Sequence, residues 1–156
     1  MLRRDHEDIV TDQMRMAASL SDRKPSEVVE VYWLYAENES AAYPQATDNS
    51  GKWLVFVDAH EVDEVWSAVA KATREGRLGG RSKVATAAPN GFSQDPTKRV
   101  ICVYTYDWKD VGDVKRVREV LHQLGVNRKI AYKSDEDSMS GKYRVTGHSQ
   151  ISKYYE

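Results

Sequence analysis

A single lysine stands between a glycine-rich basic segment and a short apolar run in GGRSKVATA, residues 79–87. Lysine in this setting has three interpretations: a solvated charge at a strand edge, a ligand for phosphate, or a catalytic base. A base requires that burial or neighbouring cations lower the pKa of Lys83 towards neutrality. The glycines match neither a P-loop nor a dinucleotide-binding fingerprint, so the segment alone identifies no ligand.

Further cations precede Lys83 and follow it across a predicted hairpin. Glycine backbone lets an oxyanion approach closely, and arginine and lysine side chains bind phosphate oxygens. A solvated helix end is the alternative interpretation of the same charges. The predicted phosphate-binding residues are Arg74, Arg77, Arg81, Lys98 and Arg99.

Aromatic residues at loop and strand ends are suited to stacking on a planar ligand. We predict this role for Tyr43, Tyr106 and Trp108. By contrast, Trp33, Trp53 and Trp66 fall at apolar positions that are typical of a core. The histidines are scattered and the lone Cys102 lies in an apolar run, so we expect no metal site and no cofactor.

The composition is that of one intracellular globular domain. A chain of 156 residues, 40% hydrophobic and 30% charged, suits a single core. Its formal net charge of −1 gives no global attraction for nucleic acid or an anionic membrane, so anion binding requires a local cluster. We expect a cytoplasmic location and no membrane span, because one cysteine forms no disulfide framework and no apolar run approaches about 18 residues.

Hydrophobic periodicity predicts an α+β domain, with two or three helices on one face of a mainly antiparallel, curved sheet. The opposite face would then be open for a ligand. Residues 28–156 form this single domain, and residues 1–27 form a polar arm or helix that could link copies of the chain into an oligomer. Helices are predicted at 62–78 and 113–125, and strands at 28–35, 52–57, 83–87, 99–107, 129–133, 142–145 and 151–155.

Six motifs together resemble one small protein family, and the resemblance covers residues 32–156. YWLYAEN, GKWLVFV, VDEVW, SKVATA, VICVYTYDW and YKSDED are similar to the family typified by basophilic leukaemia expressed protein. This family is reported to have the fold of the cap-binding translation initiation factor 4E, and its bacterial members are commonly described as phosphothreonine lyase domain proteins. The resemblance implies that fold, with Gly51, Trp53 and Trp66 at matching positions and Tyr104 in place of a tryptophan.

The resemblance implies two functions, and the sequence leaves both open. Bacterial effector phosphothreonine lyases use a strand lysine in WKV as the base, and the similar SKV places Lys83 in that role, acting on a phosphorylated threonine or serine of a peptide. Their acid histidine corresponds to Leu54, so His60 or His148 would have to supply the acid.

The alternative is a non-catalytic module of the initiation factor fold that binds a nucleotide, an RNA end or another phosphorylated ligand. The two tryptophans that sandwich the cap base in that factor have no counterparts here, and only Tyr43 lies in the corresponding segment. A partner-binding scaffold without either site is the third interpretation.

Overall fold

The structure is a computed structural model that describes residues 22–89, 96–136 and 152–156. Within these residues, one antiparallel sheet of six strands packs against two helices. The elements are β1 (Trp33–Glu37), β2 (Gly51–Asp58), α1 (Val62–Arg74), β3 (Arg81–Ala85), β4 (Lys98–Thr105), α2 (Val111–Gln123), β5 (Ala131–Ser134) and β6 (Ser152–Tyr155). The strand order across the sheet is β1-β3-β4-β2-β5-β6.

One face of the sheet is buried beneath the helices because alternate residues of each strand are apolar. In β2, Trp53, Val55 and Val57 are at most 5% exposed. The Trp53 indole nitrogen donates a hydrogen bond of 3.1 Å to the carbonyl of Val114 in α2, which satisfies a buried donor at the helix contact. Because these buried residues alternate along the strand, the residues between them point to the opposite face of the sheet.

The intervening residues form the open face of the sheet, which points away from the helices. The strand register places Tyr35 beside Lys83, Lys83 beside Cys102, and Cys102 beside Leu54. In the next row on the same face, Glu37 lies beside Arg81, and Lys52 lies beside Tyr104. Residues far apart in the sequence therefore share one surface across four strands.

The predicted α+β class and the antiparallel sheet are confirmed, with differences at the element ends. Helix α1 ends at Arg74, four residues early, because Gly76 adopts a φ of 79° just beyond it. The predicted strand 28–35 is observed at Trp33–Glu37, preceded by a 3-10 turn at Pro25–Glu27. The predicted strand 142–145 and residues 1–21 lie outside the described residues, and the domain boundary at residue 27 stays a prediction.

Gly79 lies where the chain enters β3 and has no room for a side chain. A Cβ atom there would come within 1.7 Å of the carbonyl oxygen of Tyr104 in β4. This close approach gives the glycine of GGRSK a packing role that the sequence pattern does not reveal. In the described part of the chain, neither helix has the length and apolar content needed to cross a bilayer.

Candidate anion-binding site

Three cations and three aromatic rings meet on the open face, and we call them the basic aromatic cluster. Its members are Trp33 and Tyr35 on β1, Lys52 on β2, Arg81 and Lys83 on β3, and Tyr104 on β4. Strand alternation alone brings them together, since each points away from the helices.

Arg81 is held in the cluster by two tyrosine rings. Its guanidinium carbon lies 4.7 Å from the centre of the Tyr104 ring and 5.8 Å from that of Tyr35. Cation–π contacts position a guanidinium without neutralising its charge. Glu37 faces Arg81 across the strand pair, but the described residues form no ion pair with this arginine. Among the described residues, no carboxylate therefore occupies its hydrogen-bond donors, which can bind an anion.

Lys83 is half-buried at the centre of the open face. Its Nζ atom lies 3.9 Å from the centre of the Trp33 ring and 6.0 Å from that of Tyr104. Burial lowers the pKa of Lys83 below its ordinary value, and the positive charges of Lys52 and Arg81 lower it further. The pKa of Lys83 is therefore shifted in the direction that a lysine base requires.

Cys102 lies beside Lys83 in the β3–β4 register and is 3% exposed. Burial raises the pKa of its thiol to about 11. The cysteine is therefore a neutral, inert thiol at physiological pH, as expected from its apolar sequence context.

Lys52 has a carboxylate partner. Its Nζ atom lies 2.9 Å from an oxygen of Asp135 and 5.5 Å from the centre of the Tyr104 ring. The hydroxyl of Ser50 donates to the other oxygen of Asp135 at 2.6 Å, and the backbone N–H of Asp135 donates to the Ser50 carbonyl. Asp135 is therefore a fixed negative charge at the β5 side of the cluster.

A cleft of about 290 Å³ adjoins the basic aromatic cluster and shares Arg81 and Tyr104 with it. Tyr43 and Tyr106 also line the cleft, with ring centres 5.7 Å apart and planes at 86°. Its volume is close to the lower limit of about 300 Å³ for small-molecule pockets, which suits one planar ring system.

Hydrogen bonds fix both tyrosines of the cleft. The Tyr43 hydroxyl donates to Asp113 at 2.6 Å and accepts the backbone N–H of Tyr106 at 3.1 Å. Burial, together with this bond to Asp113, raises the pKa of Tyr43. The Tyr106 hydroxyl donates to Asp110, and this bond raises the pKa of Tyr106 to about 12. Both phenols stay neutral, so the cleft offers a ligand fixed aromatic rings.

The cluster and its cleft contain four of the residues predicted from sequence, namely Lys83, Arg81, Tyr43 and Tyr106. Trp108, the third predicted stacking residue, lies near β6 instead. There the Lys153 ammonium is 4.4 Å from the centre of its ring, and the Tyr154 hydroxyl donates to its carbonyl. The functional roles of these residues stay predictions.

Four predicted phosphate ligands lie away from the cluster, namely Arg74, Arg77, Lys98 and Arg99. Arg74 forms an ion pair of 3.4 Å with Asp22 on the helix side of the sheet, and Arg77 is exposed beyond α1. Lys98 pairs with Asp58, and the Arg99 guanidinium donates to two backbone carbonyls of its own hairpin. The six residue steps along β4 from Lys98 to Tyr104 span about 20 Å, so Lys98 and Arg99 do not converge with Arg81.

The predicted acid residues are not part of the described cluster. His60 is exposed beyond the end of β2, with its imidazole 3.8 Å from the carboxylate of Glu61. Asp58, His60 and Glu61 bring three potential metal-ligating atoms within 4.8 Å of one another, but Asp58 already pairs with Lys98 and we assign no metal there. His148 lies outside the described residues.

Sequence analysis missed Lys52, Tyr35 and Asp135, and the interpretation of Trp33 as a core residue is wrong. Trp33 is half-buried on the open face, where its ring contacts Lys83. The signal that could have found Lys52 is a lone charge at the start of an apolar strand, directly before the buried Trp53. Asp135 carries no local signal, because only the pairing of β2 with β5 brings it to Lys52.

A second cleft, of about 580 Å³, lies on the helix side next to Asp22–Pro25. Trp66 lines it and is 3% exposed, and its indole nitrogen has no hydrogen-bond acceptor within the described part of the chain. This cleft is separated from the basic aromatic cluster by the sheet. Association between copies of the chain through residues 1–27 stays a prediction.

Comparison with solved structures assigns the fold to the eIF4E type. Schistosome eIF4E complexed with m7GpppA and 4E-BP matches with a TM-score of 0.62 at 16% identity, over 92% of this chain and 80% of that chain. Ascaris suum eIF4E-3 with m7G cap gives 0.57 at 14% identity, over 91% and 78%. C. elegans eIF4E-3 with the 4E-binding protein Mextli and a cap analog gives 0.56 at 16% identity, over 81% and 76%.

The sequence itself identifies the family. The profile of the basophilic leukemia-expressed protein Bles03 family matches residues 25–137, and the chain belongs to this family. The resemblance carried by the six motifs and the expected initiation factor 4E fold are both confirmed.

The lowered pKa of Lys83 is directly measurable. We expect the Nζ of Lys83 to titrate below 10.5, and Arg81→Gln to raise its pKa while leaving it below that value, because burial is the largest cause. NMR titration of lysines labelled with carbon-13 at Cε, assigned with Lys83→Arg, would measure this pKa. Arg77→Gln removes an exposed cation outside the cluster and serves as the control. A lysine pKa that is not lowered in the unaltered protein would contradict the half-buried position of Lys83 beside Lys52 and Arg81.

Proposed function

We propose that this protein is a binding module for a phosphorylated nucleotide, free or at the end of an RNA. The observation that carries the proposal is that Arg81 and Lys83 lie side by side on the open face. Aromatic rings hold both cations, and neither has a carboxylate partner among the described residues. Such cations attract phosphate oxygens and form strong charge-assisted hydrogen bonds. The predicted cytoplasmic location agrees with such a ligand and stays a prediction.

The adjoining cleft supports a nucleotide over a simple anion. A base in the cleft would contact the rings of Tyr43, Tyr104 and Tyr106, while its phosphate lies over Arg81 and Lys83. Stacking of a base on an aromatic ring contributes about 1–3 kcal/mol and tolerates any base. The similar structures that contain m7GpppA or an m7G cap agree with this class of ligand.

Removing one cation of the cluster tests the proposal. We expect Arg81→Gln to weaken binding of the preferred nucleoside monophosphate by about tenfold or more, which corresponds to about 1.4 kcal/mol. The affinity of the unaltered protein should fall steeply with salt, and the slope of log Kd against log salt should decrease in the variant. Isothermal titration calorimetry at several salt concentrations measures both quantities.

Lys98→Ala is the matched control for this experiment, since Lys98 pairs with Asp58 at the far end of β4. It removes one positive charge but leaves the cluster intact. Equal weakening by the two variants would show that binding follows general surface charge and would refute the proposed site.

A second candidate function is elimination of phosphate from phosphothreonine, favoured by the lowered pKa of Lys83. In this reaction, the neutral amine of Lys83 would take the Cα proton, a Cα–Cβ double bond would form, and the C–O bond to phosphate would break. Arg81 and Lys52 would bind the departing phosphate. Burial raises the pKa of Tyr104, so its neutral phenol could donate to the substrate carbonyl in place of the missing imidazole.

Mass spectrometry of a phosphothreonine peptide distinguishes the two functions. A lyase would convert the peptide into a product lighter by phosphoric acid, and this product would be absent with Lys83→Met and present with Lys98→Ala. A peptide that remains intact after long incubation with the unaltered protein would exclude the lyase. That outcome would leave the binding module unaffected, because binding requires no base.

A further inference from the structure

We infer that the site selects a ligand with a single terminal phosphate, and that Asp135 is a specificity-determining residue. The inference rests on the proposed function, since it assumes that a nucleotide binds with its phosphate at Arg81 and Lys83. It goes further by naming the kind of phosphate group that the open face accepts.

Carboxylate side chains flank two sides of the cationic area, which consists of Lys52, Arg81 and Lys83. Along one row of the open face, Glu37 is the cross-strand neighbour of Arg81 on the β1 side, and Lys52 is the cross-strand neighbour of Tyr104 on the other side. Asp135 holds the Lys52 ammonium at 2.9 Å and so offsets the positive charge nearest to β5. A phosphate displaced sideways from Arg81 therefore approaches the Glu37 carboxylate on one side and, on the other, a Lys52 ammonium whose charge Asp135 already offsets.

Asp135 acts within the site itself. It lines the cleft together with Glu37 and Arg81. Its negative charge is also felt by Lys83, whose pKa it raises against the larger effect of burial, and by the Tyr104 phenol. Any further phosphate group of the ligand would experience the same charge as repulsion.

The third side of the cationic area is apolar. Two residues further along the strands, about 7 Å beyond Lys83, the open face continues with Trp33 beside Ala85 and Phe56 beside Val100. This row carries no charge, so a polyphosphate that extends past Lys83 finds no cation there. Lys133 lies beside Lys52 on β5, on the far side of Lys52 from Arg81.

The surroundings therefore fit one phosphate group, bound between Arg81 and Lys83. A nucleoside monophosphate or an RNA with a 5′-monophosphate satisfies this geometry. A triphosphate adds negative charge where the described residues provide two carboxylates and an apolar row.

Calorimetry with the four nucleoside 5′-monophosphates and the four 5′-triphosphates, without divalent cations, tests the inference. For the base that binds best, we expect the monophosphate to bind about tenfold more tightly than the triphosphate. Asp135→Asn keeps the shape and the hydrogen bond from Ser50 but removes the charge, and it should reduce this ratio at least about threefold. Ser50→Ala removes this hydrogen bond but keeps the Asp135 charge, so the monophosphate should remain the tighter ligand in that variant.

Glu136→Gln is the control, because it removes the same charge from the adjacent, exposed residue. It should leave the ratio unchanged. Equal or tighter binding of the triphosphate by the unaltered protein would overturn the inference, and so would an equal shift in Glu136→Gln and Asp135→Asn. If none of the eight nucleotides binds, the proposed function itself fails and this inference fails with it.

Discussion

The antiparallel register of β3, β4 and β2 is the constraint on which the rest of this protein depends. It places every second residue of these strands beneath the helices and the residues between them on the open face. A slip of one residue would bury Lys83 and expose Val84, so the hydrophobic core and the cationic site are fixed by the same pairing. The basic aromatic cluster therefore needs no loop or helix end to assemble it, whereas the adjoining cleft also takes Tyr43 from the loop between β1 and β2.

Aromatic rings allow Arg81 and Lys83 to remain on the sheet without carboxylate partners among the described residues. Each cation–π contact of this kind stabilises a partly exposed charge by about 0.5–1 kcal/mol, which is modest against the cost of burial. Burial lowers the pKa of Lys83, because the charged form loses contact with water. A bound dianion would reverse this balance, because it supplies the counter-charge that the described residues lack at Arg81 and Lys83. The site is thus arranged to gain stability when it binds phosphate.

Much of the fold could be predicted from the sequence, because the continuous apolar run in KWLVFV and the helical spacing from Val62 to Val69 are strong local patterns. Lys83 and Arg81 were found for the same local reason, since a charged segment next to a short apolar strand stands out. Lys98 and Arg99 were expected at the site because the hairpin links them to Lys83 in sequence. The length of β4 instead places them at its far end, and no local pattern encodes that distance.

The most direct measurement is an NMR titration of the protein with a nucleoside monophosphate, following backbone amides and the lysine and arginine side chains. We predict that the largest chemical-shift changes occur at Arg81, Lys83 and Tyr104, with Lys98 and Trp66 unaffected. Changes confined to Lys98 and Arg99 at the far end of β4, or to the helix side of the sheet, would contradict binding on the open face.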